Sequence, residues 1–212
     1  MEFDQLMQWV GGEPVFSSAL LLAGQASSGD VRRQLSRWVA SGRLLQVRRG
    51  WYLLPPAYRK IEPHPFLVAN RIKKASYVSL QSALAHYGLI PEYVPVVTSI
   101  TTGRPETLQT PLGVFQYRHL ASTWFADYQL VELGGGQSAF LATPEKALLD
   151  LLYLTPSSAQ PAFLAELRLQ HTDRIQGKKL HGLARQLGSR KVCRAVEGLL
   201  QQEPPRPAGA PQ

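Results

Sequence analysis

Arginine is the residue type whose placement first suggests chemistry in this chain. Arg32, Arg33 and Arg37 recur within one short stretch, Arg43, Arg48 and Arg49 follow it, and from Ser27 to Lys60 eight Lys or Arg face the single acid Asp30. Guanidinium groups at this density suit polyanions, because each offers planar pairs of donors to phosphate oxygens and to acceptor edges of bases. Ser27 and Ser28 precede the arginines, where a helix N-terminus would add its own N–H groups to a phosphate site. Ser36 falls beside Arg37, away from the apolar stripe. The candidate DNA-contacting set is Ser27, Ser28, Arg32, Arg33, Ser36, Arg37, Arg43, Arg48 and Arg49.

Aiming these groups requires a helix and a turn. With about 100° per residue, Val31, Leu35, Trp38 and Val39 share one arc, and Arg33 lies opposite. Ser27 is the expected cap, with Asp30 three residues on, and Gly42 the expected left-handed stop. Leu44 to Val47 reads as a strand, Arg48-Arg49-Gly50 as a turn, and Trp51 to Leu54 as the return strand. Upstream, Phe3, Leu6, Met7 and Val10 predict a first helix. Phe16 to Ala23, behind Ser17 or Ser18, predicts a second, and Gly24 to Ala26 a turn. Two helices, a basic third helix and a basic hairpin predict a winged helix-turn-helix over residues 1–56, its third helix in the major groove and its wing along the backbone. A solvated helix face and a protein-docking winged helix are the competing readings.

Charge along the chain supports a division of labour. The 212 residues carry a formal +8, yet residues 77–170 hold four Lys or Arg against seven Asp or Glu, and residues 171–202 hold seven against two. Basic ends around an acidic middle fit one part that binds nucleic acid and another with a different task. A single cysteine, Cys193, leaves no internal disulfide and no thiolate zinc site, as expected in a reducing compartment. No basic leader stretch opens the chain and no apolar run approaches a membrane span, so a cytoplasmic protein without membrane contact is expected.

Pro55, Pro56, Pro63 and Pro65 mark a connector, after which residues 57–202 read as a mixed α/β domain ending in helices, making the fold class α+β. Helices are expected at about 65–73 and behind Ser79, and strands over 94–101, 106–110, 113–118, 128–133 and 139–142. Thr143-Pro144-Glu145 is a helix start with a cap, a proline at the first position and an acid at the positive end of the dipole. The helix it opens is apolar apart from Lys146 and Asp150, which are spaced as an ion pair. Phe163 to Leu169 precedes two further amphipathic helices, near 178–187 and 189–201. Lys178, Lys179, Arg185, Arg190, Lys191 and Arg194 on these helices form a possible secondary basic surface. Residues 203–212, rich in proline, are expected to be a disordered tail.

Nothing in the pattern calls for catalysis. His64, His86, His119, His171 and His181 form no H-x-x-x-H or H-E-x-x-H motif, and neither G-x-S-x-G nor a Walker lysine is present. Gly134-Gly135-Gly136 lacks the lysine and the G-x-G-x-x-G spacing of a phosphate loop and reads as a hairpin turn. No catalytic residue, metal or cofactor is expected.

Tyr77-Val78-Ser79-Leu80-Gln81-Ser82-Ala83-Leu84, Tyr87-Gly88-Leu89-Ile90-Pro91, Thr98 to Thr102 and Thr143-Pro144-Glu145-Lys146-Ala147-Leu148-Leu149-Asp150 together resemble the AbiEi-type antitoxins of type IV toxin–antitoxin (abortive infection) systems. With Arg49-Gly50-Trp51-Tyr52 closing the winged helix, the resemblance covers most of residues 15–155. It implies a phage-defence repressor that binds inverted repeats in its own promoter through Arg32, Arg33, Arg37, Arg48 and Arg49. It also implies a second domain that counters a cognate AbiEii-type nucleotidyltransferase toxin. It implies no catalytic residues. A stand-alone regulator of the same fold, without a toxin partner, stays open as the alternative.

Overall fold

The computed structural model describes residues 2–22 and 28–201. The expected Ser27 cap, the Gly24 to Ala26 turn and the 203–212 tail lie outside them. The fold is α+β. Helix α1 (Phe3–Val10) leads to a two-residue strand β1 (Phe16–Ser17), then α2 (Ser18–Leu22), α3 (Ser28–Ala40) and a hairpin of β2 (Leu45–Arg48) and β3 (Trp51–Leu53). These strands form a small sheet in the order β1-β3-β2, with Phe16 opposite Tyr52 and Ser17 opposite Trp51. The expected second helix therefore starts two residues late. Phe16 and Ser17 are drawn into the sheet because β3 offers a free edge and Phe16 is buried beside Tyr52.

Next come α4 (Pro65–Ile72), β4 (Ser76–Val78), α5 (Leu80–His86), β5 (Val96–Thr101), β6 (Glu106–Thr110), β7 (Gly113–His119), β8 (Tyr128–Gly134) and β9 (Gln137–Ala142). Helices α6 (Pro144–Leu154), α7 (Pro161–Glu166), α8 (Gly177–Leu187) and α9 (Arg190–Gln201) follow. The second sheet has the order β6-β7-β5-β4-β9-β8, parallel between β4 and β9 and between β5 and β7, antiparallel elsewhere. Helix starts follow local chemistry: His64 accepts the Phe66 N–H ahead of Pro65, and Thr143 accepts the Lys146 N–H ahead of Pro144.

Two apolar clusters organise the packing. Leu6, Val10, Phe16, Leu21, Val31, Leu35, Trp38 and Leu44 are buried together beneath α3. The larger cluster lies around the six-stranded sheet and also takes in Val15, Val47 and Leu53. The hairpin thus presents one face to each core, Val47 and Leu53 to the larger and Tyr52 to the smaller, and β2 packs against the edge strand β6.

Candidate nucleic-acid interface

Helix α3 contains no proline or glycine between Val31 and Ala40, so its backbone ladder is uninterrupted. Val31, Leu35 and Trp38 are buried, and Trp38 meets Phe3 of α1 edge to face with ring centroids 5.4 Å apart. Packing on one side leaves the other to solvent, where Arg32, Arg33, Ser36 and Arg37 are all exposed. Arg33 pairs with Asp30 one turn earlier, 2.5 Å away, with both side chains exposed. Such a pair holds the guanidinium weakly and yields it readily to a phosphate. Gly42, at φ +73°, ends the helix as expected. Ser28 opens α3.

The remaining candidates separate. Arg49 is exposed at the hairpin turn beside Gly50, whose φ of +81° lets the chain reverse within two residues. Arg43 is exposed but lies 5.5 Å from the centre of the Phe3 ring, a cation–π contact that ties it to α1. Arg48 turns the other way. Its guanidinium donates to the Ile72 carbonyl at 3.0 Å and to the Glu106 carboxylate at 3.2 Å, and Lys73 also donates to Glu106. Burial alone would push the Glu106 carboxyl up, but Lys73 and Arg48 outweigh it and hold the group below the ordinary carboxylate range. Arg48 therefore joins the hairpin to α4 and β6, apart from the exposed arginine face of α3. Glu106 and Lys73 were not anticipated, because a partner at a separation of 58 residues leaves no local signal.

The second basic surface is also divided. Lys179 reaches the buried Glu145 carboxylate at 3.1 Å, and Lys191 donates at 2.7 Å to each of the Tyr153 and Thr155 carbonyls at the end of α6. Both lysines hold helices together, whereas Lys178, Arg185, Arg190 and Arg194 are exposed.

The motif-rich stretches meet away from this surface. The fully buried Asp150 carboxylate accepts from Lys146 at 2.7 Å, Ser79 at 2.7 Å and Tyr77 at 3.0 Å. Burial pushes Asp150 up, against the pull of Lys146 and the two hydroxyls, and burial with the neighbouring carboxylate pushes the Tyr77 phenol far up. Ser79 stands at the expected cap position of α5, but its hydroxyl is spent on Asp150. The Thr98 hydroxyl from β5 instead accepts the Ser82 N–H at 3.3 Å. Among the described residues no cluster of three or more His, Cys, Asp or Glu could hold a metal ion, and no helix is long and apolar enough to cross a membrane.

No protein-family model matches the chain, and a search of the curated proteins returns no match.

Proposed function

We propose that the chain is a DNA-binding antitoxin of the AbiEi type, with residues 1–56 as a winged helix-turn-helix. It represses its own toxin–antitoxin promoter and, through residues 57–202, counters a nucleotidyltransferase toxin. The observation that carries the DNA-binding half is the division of α3 into a buried apolar face and an exposed face bearing Arg32, Arg33, Ser36 and Arg37, with Arg49 exposed at the nearby turn. The order α1, β1, α2, α3, β2, β3 and the sheet order β1-β3-β2 also favour a winged helix. Arg33 and Arg37 read base edges, and Arg49 tracks the adjacent phosphates. The antitoxin half rests on the resemblance of the second-domain motifs.

The test is a titration of the chain against a duplex of its own upstream region and against a scrambled duplex, over several salt concentrations. Tighter binding to the first, lost by about 1–3 kcal/mol in Arg33→Ala or Arg37→Ala, is expected. Equal, steeply salt-dependent binding to both would reduce the arginine face to nonspecific electrostatics. For the antitoxin half, co-expression with the neighbouring nucleotidyltransferase gene should relieve its growth inhibition. No relief, or no such gene beside this one, would leave a stand-alone regulator.

A further inference from the structure

The six-stranded sheet ends in two very different edges. At β6, Pro105 and Pro111 flank the strand, β2 packs against it, and Glu106 is held by Lys73 and Arg48. At the other edge, β8 reads Tyr-Gln-Leu-Val-Glu-Leu-Gly, with no Lys, Arg or Pro to deter another strand. Hydrogen bonds on its neighbour reveal which of its backbone groups are free. In β9 the Phe140 N–H donates to the Asn70 side chain at 2.6 Å, and the Ala142 carbonyl accepts from the Tyr87 hydroxyl at 3.0 Å. Both groups therefore point away from β8. In an antiparallel ladder the residues opposite them, Leu130 and Tyr128, must then aim their own N–H and C=O groups outward. The Thr143 N–H bond to the Asp127 carbonyl, 2.9 Å, sets the same alternation. Tyr128, Leu130 and Glu132 thus present a row of backbone donors and acceptors with no strand beside them among the described residues. On one face of this edge Leu130 is 59% exposed and Phe140 45% exposed. Beside them opens a cavity of about 380 Å³ lined by Leu67, Arg71, Phe125 and Tyr128 among others.

We propose that β8 pairs antiparallel with β8 of a second copy, about a two-fold axis through Leu130, joining two sheets into one. The occupant follows from the register. Leu130 falls opposite its own counterpart, while Tyr128 falls opposite Glu132 of the other copy, so the strand's single charge never meets its like. The outward groups of the three residues supply up to about six inter-strand hydrogen bonds. The two Leu130 side chains meet on one face and continue the apolar strip that Phe140 begins in each copy, an isologous interface of the commonest symmetry. Pairing along one short strand covers less than about 1,000 Å², which gives a dimer that dissociates on dilution. This holds whether or not α3 binds DNA.

The test is sedimentation of the full chain over about 1 to 100 μM, where an interface of this size dissociates. The weight-average mass should rise toward the dimer, and Leu130→Lys, which sets two cations face to face, should weaken association at least about tenfold with an unchanged melting temperature. A second measurement does not depend on weakening the dimer. In a Cys193→Ser background, Leu130→Cys should be joined by a short thiol cross-linker into covalent dimers, whereas Thr107→Cys on the opposite edge should not. A chain monomeric throughout, without the Leu130→Cys cross-link, overturns the proposal. So does a dimer that persists in Leu130→Lys, or one cross-linked equally well through Thr107→Cys.

Discussion

Replacing Arg48 by alanine separates a phosphate-contacting hairpin from an inward-facing one. Its guanidinium makes two hydrogen bonds, one to the Ile72 carbonyl and one to Glu106, and the paired side chains are 32% and 25% exposed. A charge-assisted bond contributes about 1.5–3 kcal/mol when well buried, and partial exposure reduces this toward the exposed-pair range. The expected loss is about 1–2 kcal/mol, which in a chain of this length lowers the melting temperature by about 2–8 °C. Glu106→Gln should be coupled to it, with a double-mutant interaction energy above about 0.5 kcal/mol. The DNA assay should move the other way. Fluorescence anisotropy on the upstream duplex, repeated across salt concentrations, should show the salt slope of Arg48→Ala unchanged. The exposed Arg49, replaced by alanine, should lower that slope by about 0.9, one phosphate's worth of released counterion. An Arg48→Ala protein with an unaltered melting temperature and a slope reduced by the same amount would refute this assignment and return Arg48 to the DNA-contacting set.

Asp150→Ala should cost about 3–5 kcal/mol in urea denaturation, because it strands the buried Lys146 ammonium; Lys146→Met with Asp150→Leu should recover only part of the loss, since the buried Tyr77 and Ser79 hydroxyls still lack their acceptor. Glu106 and Glu145 both titrate below the ordinary carboxyl value of 4.5 in the folded chain. Their contribution to stability is therefore complete above that pH and lost as pH falls through their lowered values, so Glu145→Gln should flatten the acid limb of a stability–pH curve. Burial, and secondarily the charge of His86, lowers His64 from its ordinary 6.5, while its Nδ1 accepts the Phe66 N–H. Protonation then favours the unfolded chain, so stability should decline as pH falls below about 6.5. His64→Asn, which keeps a capping acceptor, should remove part of that decline in thermal melts across pH 5–7.

Features set by neighbours in sequence were legible, and those set by distant partners were not. The α3 stripe, the Gly42 stop, the Thr143-Pro144 helix start and the Lys146–Asp150 pair all depend on residues within four positions of each other. Strand β1 depends on β3, some 35 residues on, and nothing local distinguishes Phe16 and Ser17 from a helix start. Strand β4 is buried at all three residues, so it lacks the alternation that marks a strand with one wet face. For the candidate site, exposure of Arg32, Arg33 and Arg37 followed from helical periodicity. The inward turn of Arg48 could not, because Glu106 lies on a strand of the other sheet.

The stretches from Tyr77 and from Thr143 converge on one carboxylate. Asp150 is supplied with donors by Tyr77, Ser79 and Lys146, and none of the four has an exposed side chain. A buried charge with fewer partners would be costly, so the fold itself requires these residues together. Their positions are thus accounted for by one buried network and do not by themselves carry information about what the surface contacts. That information has to come from groups the fold leaves unspent: the arginine face of α3 and the outward backbone of β8. Substitutions at the exposed Arg32, Arg33, Arg37 and Leu130 leave the Asp150 network untouched, unlike those at Tyr128, which stacks on Tyr77. They therefore test the proposed DNA binding and self-association separately, without unfolding the chain.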